Sequence, residues 1–181
     1  MYYILDLALR KIITVRTILF KIYFLMVFLS TQMLFSQQSE IVKILNEALK
    51  QDLKIEVKNH HFSDTIKIIK PYSIIKNILS VELKYRKGGE YHNEMIQVPL
   101  SKIKSVSKDS NVIFETFDEE DVKIIQAHPA SAKQLGYFKY LSSGIFFTGI
   151  RNQRKNKFLG EALQKAFAKA GYKIELGSWY D

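Results

Sequence analysis

The sequence predicts a small exported domain of the α+β class, a single domain of mainly antiparallel strands (two hairpins) with an N-terminal and a C-terminal amphipathic helix. Three observations support this prediction. A basic, then apolar, segment lies near the N-terminus. Two later stretches have apolar residues at helical spacing, and the region between them alternates with the period of two that is typical of half-buried strands. Antiparallel strands combined with separate helices indicate an α+β fold.

The N-terminal segment has the three parts of a secretory signal sequence. Four basic residues precede the apolar residues 22–35: Arg10, Lys11, Arg16 and Lys21. A basic leader, a short apolar region and a small residue at its end are typical of a cleaved signal. Residues 1–36 are therefore interpreted as a signal peptide. Cleavage after Ser36 would leave residues 37–181 as one exported domain, either periplasmic or secreted.

An uncleaved anchor is the alternative interpretation of the same segment. Residues 18–35 would form a helix of about 27 Å, which is marginal for a hydrocarbon core of about 30 Å. Positively charged flanks stay on the cytoplasmic side of a membrane, so the rest of the chain is exported in either case. The alternative is thus a domain tethered by residues 18–35 and located outside.

The composition limits both the fold and the chemistry. The chain has no cysteine, which excludes disulfides, a thiolate nucleophile and cysteine-ligated zinc. Residues 37–181 have the length of one domain, and a chain of that size buries roughly 70% of its unfolded surface. The aromatic content of 13% supports a packed core rather than disorder.

The net charge limits which classes of binding partner are compatible with the sequence. The whole chain carries a net charge of +9, and without residues 1–36 it keeps 23 basic and 17 acidic residues, a net charge of +6. A moderately basic exported surface is compatible with an anionic lipid, a polysaccharide or a protein partner, and nucleic acid is not expected. The sequence does not indicate an oligomeric state.

The first predicted element of the exported domain is a helix over residues 39–54. Ser39 is a suitable N-cap and Glu40 suits the positive end of the helix dipole. Its apolar positions recur at helical spacing and form one face: Ile41, Ile44, Leu45, Ala48, Leu49 and Leu53. The helix is therefore expected to pack on the rest of the domain.

Alternating residues predict strands over residues 55–126. Pro71 limits its strand to an edge or an end of a sheet. Residues 78–98 predict a hairpin around Gly88 and Gly89. Residues 112–117 and 122–128 flank the acidic run 118–121 and predict a second hairpin.

The last third predicts a strand, a helix and a closing strand. Residues 137–150 are apolar and are interpreted first as a buried strand. The last helix has an apolar face followed by Gly171, the residue typical of the position after a helix C-cap. That face contains Phe158, Leu159, Ala162, Leu163, Ala166, Phe167 and Ala170. Residues 172–176 predict the closing strand.

Histidines and carboxylates give no recognisable metal site. The chain has His60, His61, His92 and His128, but no pair has the spacing of known zinc motifs. These side chains are expected to face solvent near strand ends. The run from Asp118 to Asp121 lacks the alternating ligands of a calcium loop and predicts a solvated turn. No metal is expected.

Catalytic and cofactor motifs are also missing from the sequence. It contains no GxSxG, SxxK, P-loop or GxGxxG pattern, so no nucleotide cofactor is expected and no catalytic residue is nominated. A non-catalytic binding or structural module of the cell envelope or exterior is the first functional hypothesis. A hydrolase without a known motif is the alternative. It predicts a concave cleft in which histidine or carboxylate groups converge.

A basic cluster opens the last helix and is the best candidate for a binding site. It consists of Arg151, Arg154, Lys155 and Lys157. Cationic side chains beside free backbone N–H groups favour phosphate or sulfate. Together with the neighbouring aromatic residues the cluster would suit anionic lipid headgroups if the domain is tethered. The alternative is an exposed loop that keeps the protein soluble.

Overall fold

A computed structural model describes residues 20–21, 23–24, 38–55, 66–87, 90–128, 137–151 and 153–180. The chain divides into two compact units, Met1–Gln37 and Gln38–Asp181. Most of the predicted signal segment lies outside the described residues, as do His60 and His61 and the side chain of His128. No helix within the described ranges is both long and apolar enough to cross a membrane.

The second unit is an α+β domain with mainly antiparallel sheets, which confirms the predicted fold class. In its described part, helix α1 covers residues 38–55 and helix α2 covers Lys157–Lys169. The strands are β1 (Ile66–Ile75), β2 (Ile78–Lys87), β3 (Glu90–Pro99), β4 (Ile103–Lys108), β5 (Val112–Thr116), β6 (Val122–His128), β7 (Tyr137–Ser143), β8 (Ile145–Phe147) and β9 (Glu175–Trp179).

The first sheet is antiparallel throughout and has the strand order β1-β2-β3-β6-β7. Strands β1 and β2 are joined by Lys76 and Asn77, whose φ angles of 52° and 62° match a two-residue hairpin turn of type I′. Strands β2 and β3 form the predicted hairpin. Its register places Val81 opposite Ile96 and Tyr85 opposite His92.

The second sheet has the order β8-β5-β4-β9, with β9 parallel to β4. The predicted second hairpin is wrong, because β5 pairs with β4 and β8 while β6 pairs with β3 and β7. A short 3-10 turn at Leu100–Lys102 leads the chain from the first sheet into the second. The acidic run then connects strands of different sheets, an arrangement that local alternation cannot distinguish from a hairpin.

The prediction of one buried strand over residues 137–150 is also wrong. This stretch forms two strands in different sheets, and β7 at the edge of the first sheet exposes Phe138 (67%) and Tyr140 (74%). Phe146 of β8 is fully buried. The closing strand is confirmed but lies later than predicted, at Glu175–Trp179.

Aromatic contacts in the core join both sheets and helix α2. The ring centroid of Tyr72 in β1 lies 6.3 Å from that of Phe146. The Phe114 centroid lies 6.0 Å from that of Phe146 and 5.5 Å from that of Phe167 in α2. These tilted ring pairs have the geometry that aromatic quadrupoles favour. The predicted apolar face of α1 is buried, and Ile41 and Leu45 have no exposed surface.

Helix α2 ends as the sequence predicts. Gly171 has a φ of 84°, and its N–H donates to the carbonyl of Ala168 while the N–H of Tyr172 donates to that of Phe167. This pair of bonds is a Schellman motif, in which the left-handed glycine ends the helix.

Candidate functional site

A cleft of about 550 Å³ lies between the first sheet and the chain that follows β8. We call the face of the first sheet that carries Leu83 and Ile96 its inner face. On the first sheet the cleft is lined by inner-face side chains of β1, β2, β3 and β6, and by Arg86 and Tyr91 near the end of the β2–β3 hairpin. Phe147, Gly149 and Arg151 line the other side. Its volume is within the range of small-molecule sites, roughly 300–1,000 Å³.

The inner face changes from apolar to polar along the β2–β3 hairpin. The pair Val81 and Ile96 is almost fully buried, whereas the pair Tyr85 and His92 lies nearer the turn and lines the cleft. Because side chains alternate across a strand, Glu94 shares this face with His92 and Ile96. The polar end of the hairpin therefore becomes one wall of the cleft.

Glu94 is the centre of the polar groups on this wall. Its Oε1 lies 3.1 Å from His92 Nε2 and accepts a hydrogen bond of 2.7 Å from Gln126 Nε2. The His92 ring stacks on Tyr85, with 5.7 Å between centroids. Glu94 Oε2 has no hydrogen-bond partner within the described ranges, and the Glu94 side chain is 17% exposed. One carboxylate oxygen of Glu94 is thus held by two side chains of the cleft wall.

The expectation that His92 faces solvent is wrong. Its side chain is only 15% exposed. The residue lies next to a turn in sequence, but alternation directs it to the inner face, where Tyr85 covers one side of the ring. The pairing of Tyr85 with His92 in the hairpin register was the sequence signal that could have revealed this position.

Charged residues on both sides of the cleft affect the pKa of the Tyr85 phenol. Burial raises the pKa of its phenol far above the ordinary value, the charge of Glu94 raises it further, and the charge of Arg151 lowers it. Tyr85 therefore stays protonated at neutral pH and can donate a hydrogen bond. The charges of Glu94 and Arg151 therefore act on this phenol in opposite directions.

Arg151 reaches the cleft because the chain before it approaches the sheet closely. Gly149 has a φ of 73°, and a Cβ there would lie 3.1 Å from Leu83 Cδ1. Thr148 fixes the same segment: its Oγ1 donates to the carbonyl of Val112, and its own carbonyl accepts from the hydroxyl of Tyr72 at 2.7 Å. Arg151 is consequently half-buried at a defined position.

A buried polar network holds the segment after Arg151. Lys108, which is 4% exposed, donates from Nζ to the carbonyl of Gln153 at 2.7 Å and to Asn156 Oδ1 at 3.0 Å. Asp52 of α1 has no exposed surface and accepts from the N–H of Gln153. Trp179 Nε1 also donates to Asn156 Oδ1. No local motif in the sequence indicates this network, because its members are up to about a hundred residues apart.

The predicted basic cluster is divided by the fold. Arg151 lines the cleft, whereas Arg154, Lys155 and Lys157 are exposed and do not line it. Asn156 precedes α2 but its side chain makes no capping bond to the helix. That the four cations contact an anion stays a prediction.

The expected solvated turn holds for residues 118–120 of the acidic run, which are exposed, whereas the Asp121 side chain is only 12% exposed. Lys102 Nζ lies 3.3 Å from Asp118 Oδ2 and 3.2 Å from Asp121 Oδ1. Over the residues that the structure describes, no group of three or more histidine or acidic side chains is placed to bind a metal ion.

Comparison with known proteins gives no functional guide: no protein-family model, curated protein or solved structure matches this chain.

Proposed function

We propose that the protein is an exported, non-catalytic binding module that holds a small organic anion in the cleft, with Arg151 as the contact for the anionic group. The observation that carries this proposal is that the half-buried Arg151 lines the same concave site as Tyr85. Arginine binds carboxylates and phosphates in a planar, bidentate geometry. Binding is stronger in a partly desolvated cleft than on an open surface.

The apolar and aromatic part of the lining suits an organic ligand rather than an inorganic ion. Ile66, Ile96 and Ile124 provide apolar surface, and Phe147 and Tyr91 add aromatic surface. Mostly apolar walls with a few convergent polar groups are typical of small-molecule sites. The anionic group would bind at Arg151 while the body of the ligand would cover the apolar floor.

The exposed cations of the cluster have a different role in this proposal. Arg154, Lys155 and Lys157 would attract an anionic ligand or surface at a distance without touching the bound molecule. Their contribution falls with added salt, because exposed charges are screened beyond about 8 Å at physiological ionic strength.

The test compares two arginines of the same segment. The full-length chain is titrated calorimetrically with a panel of aliphatic and aromatic carboxylates and phosphate esters at about 0.15 M salt. Arg151→Gln should weaken binding by at least about tenfold, since a charge-assisted hydrogen bond contributes about 1.5–3 kcal/mol. Arg154→Gln is the matched control and should change the affinity by less than about twofold. Equal affinity of wild type and Arg151→Gln would refute the proposal.

A hydrolase is the second candidate, and the contact between His92 and Glu94 favours it. A carboxylate that orients an imidazole is a common arrangement for a general base, which here would activate water in the cleft. The test is product release from chromogenic esters, amides and glycosides by the full-length chain. Turnover that His92→Gln abolishes would replace the binding proposal with this one.

The proposed location of the domain is the one that its N-terminal sequence predicts. The domain is exported, either free after cleavage at residue 36 or tethered by residues 18–35 beside anionic headgroups. Fractionation followed by intact mass and N-terminal sequencing separates the two. A soluble product that begins at Gln37 supports the free domain, and a membrane-bound product that retains residues 22–35 supports the tether.

A further inference from the structure

We infer that the outer face of the first sheet docks on a bilayer of anionic phospholipid, with its lysines at the headgroups and the aromatic residues of β7 in the interface. The outer face is the side of this sheet opposite the inner face that carries Leu83 and Ile96. The inference does not depend on the cleft and goes beyond the proposed function.

Three rows of cross-strand partners run over all five strands and define the outer face. Directly paired residues of antiparallel strands point to the same side of a sheet. The contacts of Lys70 with Glu82 and of Ser73 with Ser80 confirm this side for the irregular strand β1. None of the fifteen residues is buried, in contrast to Val81 on the inner face. The rows are Lys67, Lys84, Asn93, Ala127 and Phe138; Lys70, Glu82, Met95, Ile125 and Tyr140; and Ser73, Ser80, Gln97, Lys123 and Ser142.

The outer face presents positive charge to solvent. Its fifteen residues include four lysines and one glutamate, a net charge of +3. The Glu82 side chain is only 15% exposed, and its Oε2 lies 2.8 Å from Nζ of Lys70, whose side chain is 71% exposed. The carboxylate of this face is thus paired and largely covered. The face therefore complements an anionic surface.

Three cations gather where the outer face meets the end of the β2–β3 hairpin. Lys67 and Lys84 are direct partners across β1 and β2, and like charges at such positions destabilise a sheet. Lys84 Nζ lies 4.7 Å from the ring centroid of Tyr91, and Arg86 Cζ lies 5.6 Å from the same centroid. An anionic partner would reduce the repulsion among these side chains.

Strand β7 gives the outer face an aromatic edge. Phe138 is 67% exposed and Tyr140 is 74% exposed, and both point to the outer side of the sheet. Aromatic side chains are enriched at the interface between a membrane and water. Buried apolar area and attraction between cations and anionic lipids together determine how strongly a protein binds a bilayer surface.

The spread of these residues suits a planar partner. Four strand spacings of about 4.8 Å separate β1 from β7, so Lys67 and Phe138 lie roughly 19 Å apart along one row. A small ligand cannot reach both ends of such a row. A single-stranded polymer is typically bound along a groove, whereas these residues lie on an open sheet face. A bilayer surface can contact the lysines and the aromatic edge together.

The experiment measures how the full-length chain partitions onto lipid vesicles. Sedimentation at about 0.15 M salt compares vesicles of phosphatidylcholine alone with vesicles that contain an equal part of phosphatidylglycerol. Lys67→Gln combined with Lys84→Gln should lower the partition coefficient on the anionic vesicles by at least about tenfold, since each lysine near such a surface contributes about fivefold. Residues 1–36 are common to the wild type and all variants, so the comparison reports on the sheet.

The matched control removes two charges from elsewhere in the domain. Lys104 of β4 and Lys165 of α2 are exposed, and Lys104→Gln combined with Lys165→Gln should change partitioning by less than about threefold. Phe138→Ser combined with Tyr140→Ser should lower partitioning by at least about fivefold and should still do so at about 0.5 M salt. The effect of the Lys67 and Lys84 substitutions should largely disappear at that salt concentration.

Two results would overturn the inference. One is equal partitioning of the wild type and the variant that lacks Lys67 and Lys84. The other is a variant that keeps its vesicle binding but loses binding to immobilised heparin, because the partner would then be an acidic polysaccharide. Urea unfolding checks that the variants fold: removing the repulsion between Lys67 and Lys84 should leave the free energy of unfolding unchanged or raise it.

Discussion

The side chain of Asn46 takes the place of a strand partner for the backbone of Tyr72. Asn46 Oδ1 accepts from the N–H of Tyr72 at 2.8 Å, and Asn46 Nδ2 donates to its carbonyl at 3.0 Å. The pairing of β1 with β2 is irregular between Lys70 and Ser73, where Pro71 has no N–H to donate. Helix α1 thus completes the hydrogen bonding of the first sheet at its irregular edge.

Replacing Asn46 should therefore destabilise the domain. Asn46→Ala leaves the N–H and the carbonyl of the buried Tyr72 without protein partners, and each costs about 1–3 kcal/mol when water does not compensate. We expect the free energy of unfolding in urea to fall by about 2 kcal/mol or more. The exposed Gln51 of the same helix provides the control, Gln51→Ala, which should change it by less than about 0.5 kcal/mol. Equal effects of the two variants would contradict this account.

Alkaline pH should unfold the protein through its buried tyrosines. Burial raises the pKa of Tyr72 well above its ordinary value of 10.0, and burial also raises the pKa of Tyr85. Above pH 10 the unfolded chain loses these protons while the folded chain keeps them, so stability falls as pH rises. The slope is up to about 1.4 kcal/mol per pH unit for each tyrosine, measured by urea unfolding between pH 9 and about 11.5.

Tyr72→Phe should reduce this alkaline slope. At neutral pH the variant loses the hydrogen bond from the Tyr72 hydroxyl to the carbonyl of Thr148, at a cost of about 1 kcal/mol. Tyr180 is 65% exposed, so Tyr180→Phe serves as the control and should keep the wild-type slope. A wild-type slope in Tyr72→Phe would show that this phenol does not drive the alkaline transition.

Lys108 should hold the segment that carries Arg154 and Lys155. Lys108→Met removes the donor to Gln153 and Asn156, so we expect a loss of about 1–3 kcal/mol in unfolding free energy. Trypsin should also cleave faster after Arg154 and Lys155, because the segment opens more often. Lys104 lies on the same strand but is exposed, and Lys104→Met should leave both measurements unchanged. Unaltered cleavage in Lys108→Met would exclude this role.

Gly160 should be required for the packing of α2 on β9. A Cβ at this position would lie 2.5 Å from Trp179 Cζ3 and 2.7 Å from Leu176 Cδ1. Glycine to alanine normally stabilises a helix, but here overpacking should dominate and lower the unfolding free energy by about 1–3 kcal/mol. The cost of Gly160→Ala should be smaller in a Trp179→Leu background, as measured by a double-mutant cycle. An unchanged cost in that background would locate the strain elsewhere.

Elements with a strong local signal were predictable from the sequence. The apolar face of α1, the C-terminal glycine of α2 and the alternation of β2 each follow from side-chain periodicity or backbone conformation within one short stretch. The partners of β5 and β6 were not predictable, because pairing depends on which sheet buries each strand. The exposure of Phe138 has the same cause: its strand lies at an edge, and an apolar residue does not report its place in a sheet.

The candidate site was likewise predictable from the sequence only in part. By itself the sequence determined an α+β domain and a group of four cations before the last helix, since both depend on neighbours in the chain. Only the tertiary structure decided that Arg151 enters a cleft while Arg154 remains exposed, because Gly149 lets the backbone approach Leu83. It likewise brought Glu94 of β3 and Arg151 into the lining of one cleft. Long-range packing sets such distances, and no local pattern encodes them.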